Sequence, residues 1–350
     1  MKTNTSNFFE DFAIGQELVH ATPRTVTEGD VSLYTALYGS RFAVQSSDVL
    51  AGDLGLEGAP IDDLLVFHVV FGKTVPDVSL NAVANLGYAG GVFGAPVYPG
   101  DTLSASSQVI GLKENSNGKT GLVYVRSVGR NQTGETVLNY VRWVMVRKGD
   151  AAAPAPEPVV PDLPGAVAAT DLVVPAGLDM SAYDTVAAGS PHCWDDYDVG
   201  ERIDHVDGMT IEEAEHMLAT RLYQNTAKVH FDQFAANEGR FKRRLIYGGH
   251  IISLARGLSF NGLANAFKIA AINGGAHTNP TFAGDTIYAW SEVLDKMEVP
   301  GRDDLGALRL RTVACKDHPC ADFPLKTEDG KYSESVVLDF DYSVFMPRRG

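Results

Sequence analysis

The chain carries two copies of itself. Glu10–Leu18 (EDFAIGQEL) is answered by Asp195–Ile203 (DDYDVGERI), and Thr25–Gly39 by Thr210–Gln224, both at an offset of 185 residues. Further on, Ala89–Thr102 (AGGVFGAPVYPGDT) matches Asn273–Thr286 (NGGAHTNPTFAGDT) at an offset of 184. A period this long means duplicated domains, not a solenoid of short repeats. Near the ends Val137–Val141 (VLNYV) matches Val337–Asp341 (VLDFD) at an offset of 200, so the second copy holds 16 extra residues. The polar stretch Ala314–Lys331, with its Pro and Gly, is expected to be that insertion and to form a loop. Between the copies, Gly149–Pro191 is dominated by Ala, Pro and Val. Such a segment reads as a semi-extended linker that buries little. The expected division is a first domain over 1–148, a linker over 149–191 and a second domain over 192–350.

Each copy shows the same order of elements. A short helix (about Glu28–Leu37, then Ile211–Leu222) precedes a polar loop and a more apolar helix (about Asp63–Lys73, then Gly249–Phe260). Strand-like runs follow: Leu103–Leu112, Leu122–Gly129 and Thr136–Lys148, then Ile287–Leu294, Leu308–Ala314 and Ser333–Phe345. A helix followed by several alternating strands predicts an α+β unit, an antiparallel sheet packed on one helix.

At 350 residues the chain has material for two such cores. A formal charge of −15 argues against a nucleic-acid surface, which needs concentrated Lys and Arg. Three scattered cysteines, Cys193, Cys315 and Cys320, make no disulfide framework and suggest a reducing cytoplasm. The N-terminal residues hold no apolar run like that of a signal peptide, and no stretch approaches the length of a membrane span. The expectation is a cytoplasmic protein with neither nucleic-acid nor membrane partner.

The turns Pro96–Thr102 (PVYPGDT) and Pro280–Thr286 (PTFAGDT), with the apolar helix and the loop before it, resemble the MaoC-like, (R)-specific enoyl-CoA hydratase family. That family has a Gly-Asp-x-Asn-Pro-x-His loop and an Ile-Ala-His-Gly-Met-Leu segment opening its central helix. The resemblance runs through nearly the whole chain, twice, and implies a tandem hot-dog fold, each sheet wrapped around a central helix. In the second copy, Gln224–His230 (QNTAKVH) stands at the catalytic loop, with His230 at the histidine position, Asn225 where the family has aspartate, and Asp232 at a later acidic position. In the first copy, Ser40 and Gln45 hold the two chemical positions, and neither serves as a base near neutral pH. Ile246–Ile251 (IYGGHI) keeps the central-helix glycine at Gly249, where the first copy has Leu64. The degenerate first copy, the Asn and the loop YQNTAKVHFD narrow the resemblance to the mesaconyl-CoA (2-methylfumaryl-CoA) hydratase branch.

Hydration of an enoyl thioester needs a base for water and a donor for the enolate-like oxygen. Histidine suits the first role, with an ordinary pKa of about 6.5. An amide at a helix N-terminus, which lacks an intrahelical acceptor, suits the second. The resemblance assigns these roles to His230 and Gly249. Asn225 can hold a water but cannot accept a proton. The α-carbon proton then comes from the imidazolium, a second water or a first-copy acid, Asp62 or Asp63. A CoA thioester also needs cations. Arg240, Lys242, Arg243 and Arg244 (GRFKRR) are the densest basic cluster, and Lys228 is placed to meet a distal carboxylate. The run is equally readable as a solvated surface, and Asn225 as a turn residue. His250 and His277 have no first-copy counterpart and could line the pocket, though a structural role is the commoner one for such residues. Cys315, His318 and Cys320 lie in the insertion without a second ligand pair, so no metal site is assigned.

The expected function is reversible hydration of mesaconyl-CoA without a cofactor, by a chain that forms a homodimer. Alternatives are a straight-chain enoyl-CoA hydratase, a thioesterase, and a non-catalytic acyl-CoA-binding protein.

Overall fold

A computed structural model describes residues 2–349. Ten strands form one antiparallel sheet in the order β1-β3-β4-β5-β2-β7-β10-β9-β8-β6. The first copy supplies β1 (Glu17–Thr25), β2 (Ala82–Phe93), β3 (Thr102–Glu114), β4 (Thr120–Arg130) and β5 (Thr136–Arg147). The second supplies β6 (Arg202–Thr210), β7 (Lys268–His277), β8 (Thr286–Glu298), β9 (Leu305–Lys316) and β10 (Val336–Pro347). The helices are α1 (Glu28–Tyr38), the short α2 (Ala43–Ser46) and α3 (Asp48–Asp53), α4 (Asp63–Thr74), α5 (Glu213–Leu222), α6 (Gln233–Ala236) and α7 (Gly248–Leu258). None is long and apolar enough to cross a membrane.

Each five-strand set wraps one helix, α4 or α7, as the hot-dog expectation requires. Every residue of α4 is buried, as is every residue of α7 from Gly249 onward. Helices apolar on all sides can only be enclosed. Along β5 the inward row Leu138, Tyr140, Arg142, Val144 and Val146 alternates with the opposite face.

The two copies meet about a pseudo-twofold axis, where equivalent residues touch. Tyr38 Oη lies 2.6 Å from Tyr223 Oη, and His68 Nε2 lies 2.9 Å from Ser253 Oγ, both pairs 185 residues apart in sequence. A side chain on Gly72 would overlap the Tyr223 carbonyl, and one on Gly257 the Tyr38 carbonyl. Glycine at these two places lets each central helix approach the other copy's backbone. The sheet is continuous across the seam through Gly91 opposite Ile272 and Val92 opposite Ala271.

The segment between the copies buries more than its composition suggests. Val167, Leu172, Leu178 and Met180 are buried and join Phe267, Ala270, Leu305, Ala307 and Phe345 in one apolar cluster. Its Val and Leu residues reach this cluster from a largely irregular chain broken only by the 3-10 turns Ala169–Asp171 and Met180–Ala182. Residues 317–335 connect β9 to β10 and contain the expected insertion. Cys320 of this connection packs with Cys315 of β9 and with Trp290, Val313 and Val336, while His318 pairs with Asp322 at the surface.

Candidate active site

His230 ends a single 3-10 turn, Lys228–His230, between α5 and α6. Its Nδ1 is 3.0 Å from the Leu245 carbonyl. A carbonyl only accepts, so Nδ1 carries the hydrogen and Nε2 is left as the basic atom. Burial pushes the His230 imidazole down to about 4. The ring is therefore neutral near pH 7, with Nε2 unprotonated.

Asn225 is buried in the turn after α5. Its Oδ1 accepts from the Ala227 N–H at 3.0 Å, which leaves Nδ2 to donate to a water or substrate. The turn role and a chemical role are thus compatible in one side chain.

Gly249 is the second residue of α7. Its N–H belongs to the first turn, which has no intrahelical acceptor. Tyr247 occupies the N-cap and supplies no side-chain acceptor. A Cβ at Gly249 would overlap the Tyr247 ring and stand 2.5 Å from His68 Cε1 and 2.7 Å from His68 Nδ1. The Tyr247 ring lies edge-on to His230 at 5.5 Å between centroids and so joins the two sequence-predicted residues.

The corresponding place in the first copy is closed. Asp62 caps α4 through Leu64 N at 2.9 Å, and Leu64 fills the position of Gly249. Asp63 forms a buried ion pair with Lys268 at 2.5 Å and accepts from Ile269 N at 2.9 Å. Gln45, the counterpart of His230, donates to the Phe267 carbonyl at 2.7 Å. Arg256 lies 3.6 Å over the Phe42 ring, which in turn packs on Phe260. Both aspartates sit at the N-terminal end of α4, about 15 Å along the helix from its other end. The cleft described next takes its α4 residues from that other end. Asp62 and Asp63 therefore lie away from this cleft, held by the α4 cap and the Lys268 pair.

A cleft of about 490 Å³ opens at the seam of the two copies. The first copy lines it with Ala21, Thr22, Gly72, Lys73 and Pro76, and the second with Met217, Arg221, Gln224, Asn225, Thr226 and Phe231. In a chain of charge −15, this lining holds two cations and no carboxylate. Lys73 is buried, bonds the Thr22 carbonyl, and is pushed down to about 8 by burial and then by Arg24. A second cleft, of about 450 Å³, is lined by Met180, Tyr183, Cys193 and Arg349; neither His230 nor Gly249 lines either cleft, and the 490 Å³ cleft meets the His230 loop through Asn225, Thr226 and Phe231.

The predicted basic run divides. Arg243 donates to the Ala283 carbonyl at 2.6 Å and lies over Phe282, and Arg244 pairs with Glu213. Arg240, over Phe241, and Lys242 are exposed, as is Lys228. None of the five lines the 490 Å³ cleft. His277 packs against Gly248, and burial first, then His230, brings His277 down to about 4. His250 bonds Tyr38 Oη at 2.9 Å through Nδ1.

The mesaconyl-CoA hydratase family model matches residues 2–321. The chain belongs to the mesaconyl-CoA hydratase family. It is 71% identical to a β-methylmalyl-CoA dehydratase of Chloroflexus aurantiacus, over 100% of this chain and 99% of that one. A solved MaoC domain protein dehydratase from Chloroflexus aurantiacus superposes with a TM-score of 0.98 at 70% identity, both chains covered completely. A Mycobacterium tuberculosis protein with a double hot-dog fold superposes with a TM-score of 0.75 at 24% identity, over 98% of this chain and 99% of that one, and bears on the fold alone. As a member of this family the chain is a MaoC-like double hot-dog hydro-lyase.

Two residues of the cleft and its surroundings escaped the sequence reading. Lys73 was hidden at the end of an apolar helix. Arg142 was visible as a charge in the inward row of an otherwise apolar strand.

Proposed function

We propose that the chain catalyses reversible hydration of mesaconyl-CoA to β-methylmalyl-CoA, with His230 as the base. The observation that carries this reading is the pairing of a neutral, Nε2-basic His230 with the uncapped start of α7. The first copy has neither, since Gln45 and the capped α4 stand there. In the proposed step, His230 Nε2 takes a proton from water as its oxygen attacks the β-carbon. The electrons move to the thioester oxygen, which the Gly249 N–H receives. The imidazolium formed then returns a proton to the α-carbon, a route consistent with Asn225 having none to give. Asn225 Nδ2 holds the water in line.

The acid-free cleft, with Lys73 and Arg221, supports an anionic thioester over an apolar one. We assign Arg240 and Lys242, exposed ahead of α7, to the CoA phosphates outside the cleft. Arg243, Arg244 and Lys228 are given no more than an outer electrostatic role. We further propose a cytoplasmic homodimer, to be checked by light scattering of the purified protein and by its location in cell fractions.

The test is to follow loss of enoyl-thioester absorbance with mesaconyl-CoA and crotonyl-CoA, for the wild type and His230→Ala. Rapid loss with mesaconyl-CoA, little with crotonyl-CoA and none in the variant is the expected result. Preference for crotonyl-CoA would discard the dicarboxylate reading, and full activity in His230→Ala would discard the mechanism.

A further inference from the structure

Arg142 is a fully buried cation without an anion. It stands at an inward position of β5, opposite Tyr88 of β2, and none of its surface is exposed. Its one short hydrogen bond runs from Nη2 to Thr74 Oγ1, at 2.8 Å. Ser79 and Asn85 lie at 3.4 to 3.5 Å, and Nε has no partner. The guanidinium rests 4.3 Å over the Phe71 ring. The groups of negative character that reach it are the phenols of Tyr140, Tyr88 and Tyr247, none of them ionised near pH 7. The other enclosed arginine, Arg256, differs in lying near the Asp62 carboxylate. A guanidinium taken out of water is costly unless an anion answers it.

The surroundings share one chemical character. Tyr140 Oη and Tyr247 Oη are buried without partners, like Arg142 Nε. All three can donate, and no carboxylate is paired with them among the described residues. Donors of this kind in one region of the core fit a carboxylate, which offers about four lone-pair sites. The region is also continuous with the candidate active site. Tyr247 packs on His230 on one side and on Phe71, at 5.8 Å, on the other, and Arg142 covers Phe71. Tyr88 closes the same wall, with its hydroxyl 3.5 Å from His277 Nε2.

We propose that Arg142, with the hydroxyls of Tyr140 and Tyr247, binds the free carboxylate of a dicarboxylyl thioester substrate and so sets the enzyme's selectivity for an acidic acyl group. This rests on the hydratase reading above and assigns its specificity chiefly to the first copy. Base and oxyanion donor then come from the second copy, and acyl recognition from Arg142 and Tyr140 of the first with Tyr247 of the second. The buried charge also explains rejection of neutral acyl groups, because an apolar tail would leave the guanidinium unanswered.

The experiment compares kcat/KM for mesaconyl-CoA and for 2-methyl-2-butenoyl-CoA, which has a methyl group in place of the carboxylate. Arg142→Met is expected to lower kcat/KM for mesaconyl-CoA about 1,000-fold, the order of a broken buried charge pair, and to leave the neutral thioester unchanged or improved. Arg142→Lys keeps a charge and covers the case in which the methionine variant does not fold. It should raise KM for mesaconyl-CoA at least about tenfold, by loss of the planar fork, with the neutral substrate unaffected. Binding gives an independent readout: the wild type should hold succinyl-CoA more tightly than butyryl-CoA, and either variant should lose that preference. Equal losses on both substrates, or an unchanged succinyl-CoA preference, would overturn the assignment while leaving the hydratase intact. A wild type that favours the neutral thioester would overturn both.

Discussion

Mild acid should destabilise this protein before its carboxylates titrate. His68, His205 and His250 are enclosed in the core, each at most 1% exposed. Burial pushes them from an ordinary 6.5 down to about 3, 4 and 3. His68 and His250 each retain a ring nitrogen without a partner, and neither has an acid to stabilise its charged form. The unfolded chain protonates all three near pH 6.5, whereas the folded chain refuses those protons until about pH 4. Their contribution is therefore complete above pH 6.5 and is lost as pH falls toward 4. At pH 5.5 each histidine favours the unfolded state about tenfold, three together about 1,000-fold, or about 4 kcal/mol. That is a large part of a stability of about 5–15 kcal/mol. For a chain this long it corresponds to a fall in Tm of about 5 °C, if the fused copies melt as one unit. Carboxylates held low, such as Asp304 beside Arg302, act in the same direction only below about pH 4. The assay is thermal or urea unfolding at fixed ionic strength from pH 7.5 to 5.0, with proton uptake read from the slope. A midpoint that stays level down to pH 5.5 would refute the reasoning. So would a slope unchanged by His205→Asn, which should remove about one proton from it.

Three further outcomes are expected. His230→Gln, which installs the first copy's residue, should lower kcat about 100- to 10,000-fold with little change in Tm, by steady-state kinetics and melting. Gly249→Ala forces the Tyr247 and His68 rings apart; crowding of this kind costs about 1–3 kcal/mol, and kcat should fall about 100-fold or more if the oxyanion donor moves. Asp63→Asn leaves Lys268 buried without its partner and should cost about 3–5 kcal/mol in urea unfolding, with kcat of the surviving folded enzyme nearly unchanged because the pair lies at the closed site.

The duplication was legible because Asp-Thr turns and loop spacings recur whatever packs on them. The central helices were legible for a similar reason, as apolar runs between polar loops. β2 and β7 were not, because AVANLGYAGGVF and KIAAINGGAH are rich in Ala and Gly. Small residues there make room for bulky neighbours, Trp143 against Gly87, Ile272 against Gly91 and Tyr88 against Gly275, a demand no local pattern announces. β1 and β6 are bulged edge strands whose alternation is interrupted, between His20 and Arg24 and between Asp204 and Gly208. At the site, the family resemblance pointed to His230, Asn225 and Gly249, and the comparison of the copies showed that the first has other residues there. The basic run drew attention by density alone, yet Arg243 and Arg244 are held by Ala283 and Glu213. Lone charges at inward positions, Lys73 and Arg142, were the better signal. Reading them required knowing which face of a helix or strand points inward.

The contact of His68 with Ser253 has an evolutionary reading. Between two identical chains related by a true twofold, a residue on the axis meets its own copy, so a histidine would face a histidine and a serine a serine. A donor–acceptor pair of unlike residues across that axis becomes available only when one polypeptide encodes both sides. Fusion thus releases each half from the rule that every mutation happens twice. One seam position could be sealed by Leu64 and the Asp63–Lys268 pair while its twin kept a glycine, Gly249, under the Tyr247 and His68 rings. The countable result is stoichiometry: a tight-binding substrate analogue should titrate one site for each 350-residue chain, not one for each hot-dog unit.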